Sequence, residues 1–166
     1  MDTGIWGIAA EGTVAAPSQD VFDFLARLEN HWQLADRWIE VASLDGDGDG
    51  AGANGGAVTV RGPLGLSRTV RTRVLAAEPP RRLRGRAEVG NRTQASITWS
   101  LTDAGETTRV RLDAEVERIG AVDRALWALG GRRWMLRRFE AVIAGLRRRF
   151  AAVRPASRDS SLESTR

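Results

Sequence analysis

The chain has no cysteine, no lysine and no tyrosine, and its 166 residues include one histidine. Without cysteine there can be no disulfide, no thiolate metal site and no cysteine nucleophile, which fits a reducing compartment. With His31 alone, a transition-metal site would rest on carboxylates, and a Ser-His-Asp triad would depend on that one ring. Long apolar runs are missing too. Nothing approaches the ~20 residues of a membrane span, and no basic segment leads into a signal-like apolar stretch. The expectation is a cytoplasmic protein with no transmembrane segment, no metal and no cofactor.

The missing lysine makes all 25 basic residues arginine, against 21 acidic ones, for a net charge of +4. Such uniformity fits a GC-rich genome better than selection at every site. The small net charge disfavours nucleic acid as a partner. The arginines at 132, 133, 137, 138, 147, 148 and 149 read as the solvated side of a helix, with few aromatics between them. An anionic membrane surface and a protein partner are the other readings of that stripe. Oligomeric state is not legible.

What is present is periodicity. Ile8, Ala10, Gly12 and Val14 alternate with Ala9, Glu11 and Thr13, a half-buried strand that Pro17 ends. Ser18 is placed to cap a helix that carries Val21, Phe22, Leu25 and Leu28 on one side. A second short helix is expected over 31–37. Strands are expected over 38–44, 57–61, 66–76, 83–89, 95–101 and 107–117. Pro79 and Pro80 interrupt one ladder, and Asp103 to Gly105 turn a hairpin. From Ala121 the period changes to 3.6, and Val122, Leu126, Leu129, Arg133, Leu136, Phe139, Ile143, Leu146 and Phe150 trace one long amphipathic helix. Gly130 and Gly131 are the places for a kink. The polar stretch 154–166 reads as a disordered tail behind one domain over 1–153.

The stretch DGDGDGAGANGG at 45–56 begins like a calcium loop. Its twelfth position, where a bidentate glutamate belongs, is Gly56, and strands rather than helices flank it. It reads as a mobile connection, with a weak cation site as the lesser alternative.

Antiparallel strands with one dry face need a cover, and the long helix supplies it. The segments VAAPSQDVFDFLARLENHWQLADRWIEV at 14–41, RGPLG at 61–65, AAEPPRRL at 76–83, ITWSLTDAGETTRVRLDAEVE at 97–117 and LGGRRWMLRRFEAVIAGLRRRF at 129–150 carry a resemblance. In them the chain resembles the START-like helix-grip superfamily, also called SRPBCC, the polyketide cyclase/dehydrase and lipid transport proteins. The resemblance spans about residues 5–152. It implies an α+β helix-grip fold, with a curved antiparallel sheet around a long C-terminal helix and two short helices after the first strand. It also implies a cavity between sheet and helix that holds a hydrophobic or aromatic small molecule. It carries over no catalytic residue. An aromatase/cyclase-type enzyme is the alternative reading of the same cavity.

Residues for such a site follow from strand phase and composition. Trp99 shares a face with Ile97 and Leu101, and Trp127, Trp134, Trp32 and Trp38 lie near the helices. Indoles offer flat apolar surface and one donor each, for a ligand or simply for the core. Arg68 and Thr72 share the phase of Val70 and Val74, so they are the candidate polar anchors, unless a strand end near Gly65 turns Arg68 to water. His31 is the candidate acid–base group, or else a surface or capping residue. The expected ligand-binding set is Arg68, Thr72, Trp99, Trp134, Trp32 and His31.

Overall fold

The computed structural model describes residues 6–35, 38–45, 55–62 and 65–152. Most of the stretch 45–56 and the whole tail 154–166 lie outside the described residues, as do the side chains of Trp32, Leu44 and Asp45.

Seven strands form one antiparallel sheet: β1 (Gly7–Val14), β2 (Ile39–Asp45), β3 (Gly55–Arg61), β4 (Ser67–Glu78), β5 (Arg82–Val89), β6 (Thr93–Asp103) and β7 (Thr108–Arg118). The order across the sheet is β1-β7-β6-β5-β4-β3-β2. Sequential strands are neighbours from β2 to β7, and β1 closes against β7, with Ile8 opposite Ala114 and Gly12 opposite Val110. Helices α1 (Ser18–Ala26) and α2 (Leu28–Leu34) follow β1, and α3 (Ala121–Leu126) and α4 (Arg132–Ala152) follow β7. This is the α+β helix-grip arrangement, a curved sheet holding the C-terminal helix.

The period-2 faces decide what is dry. Ile8, Ala10 and Val14 of β1, Trp99 and Leu101 of β6, and Val110, Leu112 and Ala114 of β7 are buried. They pack with Val21, Phe22 and Leu25 of α1 and Phe139, Val142, Ile143 and Leu146 of α4. Burying such side chains contributes ~1.5–3 kcal/mol each. The approach of α4 to β1 requires Gly12. A Cβ there would stand 2.5 Å from Ile143 Cγ2, inside any real carbon–carbon contact.

Three local expectations change. Ser18 is not a cap. Pro17 occupies the cap position and no side chain bonds the first turn; the Ser18 hydroxyl instead donates to Asp103 Oδ2 at 3.4 Å. Helix α2 starts at Leu28 rather than 31, because its first residues finish α1. The Asn30 amide donates to the Phe24 carbonyl at 2.8 Å and His31 Nε2 donates to the Leu25 carbonyl at 2.5 Å. These are carbonyls that a helix end leaves without intrahelical partners. The third change is in the long helix. Between α3 and α4 the chain makes a wide turn over Trp127–Gly131, with Gly130 at φ 110. That turn shifts the helical phase. Val122 and Leu129, expected on the dry face, are 63% and 85% exposed, and Trp127 and Met135 pack on the core instead.

Asp123, in the first turn of α3, ties that helix to the sheet. It accepts a hydrogen bond from the Thr93 hydroxyl and pairs with the Arg68 guanidinium at 3.4 Å. The Gly120 amide donates to Thr93 Oγ1 at 3.0 Å.

Candidate functional site

Only part of the sheet is filled by α1 and α4. Over β3, β4 and β5 the concave face borders a cavity of about 290 Å³. The strands supply Val58, Val60, Val70, Val74, Leu83 and Ile97 to its wall, and Trp99, Leu112 and Ala114 close its floor toward the packed side. Helix α2 and the start of β2 contribute Leu28, His31, Ala35, Trp38 and Ile39, while Trp127, Met135, Phe139 and Val142 come from the C-terminal helices. The local reason is alternation. In β5, Leu83, Gly85, Ala87 and Val89 face inward; Arg84 and Arg86 also border the cavity, but strand alternation turns their side chains toward the convex side, so a strand rich in charge still offers a mostly dry wall.

The polar residues that border the cavity are Thr72, Thr93, His31 and the arginines 73, 84 and 86. Thr72 lies on the wall, and its hydroxyl donates to the Gly56 carbonyl at 3.4 Å. His31 lies on it, with its ring 5.6 Å from that of Trp99. Since the Leu25 carbonyl accepts from Nε2, the proton of the neutral ring sits on that nitrogen. Burial pushes the His31 pKa below its ordinary value, against smaller upward effects of the Leu25 hydrogen bond and the Glu29 charge. The ring is therefore neutral at pH 7.

Of the six side chains expected at the site, Thr72, Trp99 and His31 are brought together on the wall. Two are not. Arg68 has the inward phase that its spacing implied, but it stands near the start of β4, with its side chain 43% exposed, and meets the carboxylate of Asp123. The partner that an inward arginine needs is thus supplied by α3, and no guanidinium enters the cavity from that position. Trp134 lies outside the wall. Its ring meets that of Trp38 edge-on at 5.8 Å, and the Arg138 guanidinium lies 5.3 Å from the Trp134 ring centre. The Trp32 side chain is outside the described residues. The expected set omitted Trp38, Trp127 and Met135 from the wall. The phase shift at Gly130 hid the last two, whereas Trp38 follows a helix end that sequence spacing misplaced.

Among the described residues no three of the histidine, aspartate and glutamate side chains gather as metal ligands, and no helix is long and apolar enough to cross a membrane. The arginines of α4 stand mostly in solvent, Arg138 excepted.

Comparison with known proteins agrees with this geometry. The family model described as polyketide cyclase / dehydrase and lipid transport matches residues 6–151. Solved structures share the fold at low identity. The TTHA0849 protein of Thermus thermophilus is 20% identical, with 89% of this chain and 98% of that one covered and a TM-score of 0.63. A START superfamily protein from Mycobacterium smegmatis is 16% identical over 89% of this chain and 99% of its own, also with a TM-score of 0.63. A protein from Arthrobacter aurescens is 14% identical, covering 100% of this chain and 96% of its own, with a TM-score of 0.64. No curated protein matches the chain.

Proposed function

The chain belongs to the polyketide cyclase / dehydrase and lipid transport family, and from that premise we propose that it binds a hydrophobic or aromatic small molecule, of lipid, polyketide or quinone type, in the cavity between sheet and helix, acting in the cytoplasm. One observation carries this reading: a cavity of about 290 Å³ whose exposed lining is almost wholly apolar, supplied mainly by valine, leucine, isoleucine and tryptophan side chains. That size is near the lower end of small-molecule sites, which run from ~300 Å³ upward. A guest that leaves water for this wall gains ~25 cal/mol per Å² of apolar surface before association costs. Trp99, Trp127 and Trp38 on the wall make the binding visible in fluorescence.

The test is a panel of fatty acids, aromatic polyketides and quinones, read by melting temperature and tryptophan emission. Native mass spectrometry of protein purified from its own host identifies what travels with it. A panel in which no compound raises the melting temperature or changes the emission ends the proposal.

A second reading, an aromatase/cyclase-type enzyme, is favoured by His31, a neutral ring on the wall of the same cavity. In this reading the cavity folds a poly-β-ketone and gains mainly by positioning, with His31 exchanging protons. A His31→Phe variant should then lose ~10²-fold or more in turnover while still binding substrate. Undiminished turnover removes His31 from the chemistry.

A further inference from the structure

A surface helix normally turns its polar residues to water. Helix α3 does the reverse. Ala121, Val122 and Ala125 share one side of it at helical spacing, and all three are exposed. Ala128 and Leu129 extend this apolar face onto the turn that follows, where Leu129 is 85% exposed. No residue of α3 is buried, so core packing does not account for the face. The helix is held by its polar side instead, through Asp123 with the Thr93 hydroxyl and the Arg68 guanidinium. Thr93 and Trp127 both line the cavity, which places α3 and its turn at the cavity's edge.

The charge around this face has one sign. Arg124 lies within α3, and Arg132 and Arg133 follow the turn. Arg92 comes up against the start of the helix, where a Cβ on Gly120 would stand 3.0 Å from the Arg92 Cβ. All four arginines are exposed, and among the described residues none of them pairs with a carboxylate. Asp123 is the one acidic residue over 121–133, and Arg68 already answers it.

We propose that the outer face of α3 and its turn docks the protein on anionic lipid bilayers, with Val122 and Leu129 entering the headgroup layer and the four arginines meeting the lipid anions. The docking does not depend on which guest the cavity holds. Segments that lie in a membrane interface combine an apolar side with basic residues around it. The cytoplasmic leaflet carries the anionic lipids that attract such residues. A protein partner fits less well. A stable protein interface covers ~800 Å² on each side and leans on aromatic anchors near its centre. Here the two large projecting side chains are aliphatic, and Trp127, the aromatic of the turn, lines the cavity instead.

The experiment is co-sedimentation with vesicles of phosphatidylcholine containing about 30% phosphatidylserine, beside vesicles of pure phosphatidylcholine. The wild type should partition onto the anionic vesicles about tenfold or more strongly than onto the neutral ones. Val122→Ser/Leu129→Ser should weaken that partitioning about tenfold or more, and Arg124→Gln/Arg132→Gln about tenfold. Arg147→Gln/Arg148→Gln should leave it within about twofold, since these arginines stand roughly 24 Å along α4 from its start, beyond a screening length. Every side chain replaced is exposed, so an unchanged melting temperature separates lost docking from lost folding. The absence of cysteine gives a second readout. A polarity-sensitive fluorophore on Ala128→Cys should shift its emission to the blue on anionic vesicles, and the same label on Arg148→Cys should not. No partitioning, equal partitioning onto the two vesicle types, partitioning that Val122→Ser/Leu129→Ser leaves intact, or a blue shift for Arg148→Cys alone overturns the assignment. So does a dimer that Val122→Ser/Leu129→Ser dissociates without any vesicle binding, which gives the face to a second copy of the chain.

Discussion

The two ends of the sheet are built to different standards. At the β1–β7–β6 end, α1 and α4 press on the strands, and Val14, Val21, Leu25, Val110 and Leu146 are fully buried. At the β3–β4–β5 end the same alternation of apolar and polar residues runs along the strands, yet Val58 and Leu83 are the inward apolar side chains buried there, and none of the twelve residues of β4 is buried. Val70 and Val74 face a space instead of a helix. Equal patterning with unequal burial teaches that inward-facing apolar residues do not make a core unless an opposing element reaches them. Where α4 does reach, the result is stability. Where it does not, the same side chains line a cavity.

Substitutions can sharpen or break that contrast. The largest effect belongs to Leu146→Ala, which opens a void under a side chain with no exposed surface. It should cost about 2–5 kcal/mol, read by denaturant or thermal unfolding. Next comes Gly12→Ala, where the added methyl meets Ile143 and forces α4 off β1. The expected loss is about 1–3 kcal/mol in the same assay. Val70→Ala, on the hollow side, should cost under ~1 kcal/mol, because the methyls removed already face a gap rather than packed neighbours. Its effect should show in ligand affinity instead. A Val70→Ala penalty equal to that of Leu146→Ala would mean that the two halves are packed alike, and the contrast between them would vanish.

The smallest effect is a pH dependence carried by His31. The ring is neutral and its pKa is held below the ordinary value by burial, whereas in the unfolded chain it titrates near 6.5. Above that value both states are neutral and the group contributes no slope. As the pH falls through about 6.5 the unfolded chain takes up the proton and the folded one does not, so stability declines toward acid. The wild type should therefore lose melting temperature between pH 7 and 5 more steeply than His31→Gln. Parallel curves would place the ring in solvent-like surroundings, not on the wall of a cavity.

Much of this architecture is written in local pattern. The phases of Ile8 to Val14, Ile97 to Leu101 and Val110 to Val116 name the concave face, and Pro79 with Pro80 mark the end of β4. The inward phase of Thr72 and Trp99 places both on the wall by the same logic. What local pattern misses involves residues far apart in the chain. Arg68 and Asp123 find each other only once α3 lies across the sheet. A helical wheel drawn through Gly130 assigns Leu129 to the core, because the wheel assumes an unbroken phase that a glycine at φ 110 does not keep. Trp134 differs from Trp127 by seven residues, two helical turns that should share a face, yet the turn between them sends one to the cavity wall and the other behind Trp38.

Period and turn chemistry, which act between neighbours a few residues apart, were enough to determine seven antiparallel strands, a short helical pair and a long amphipathic helix. The tertiary structure alone decided that α4 is close enough to fill one end of the sheet and too far to fill the other. That depends on the curvature of the whole sheet and on the close approach that Gly12 allows. Among the described residues it also left the Trp38 indole N–H without an acceptor, since the partners of a buried donor are set by what packs around it and not by its neighbours in sequence.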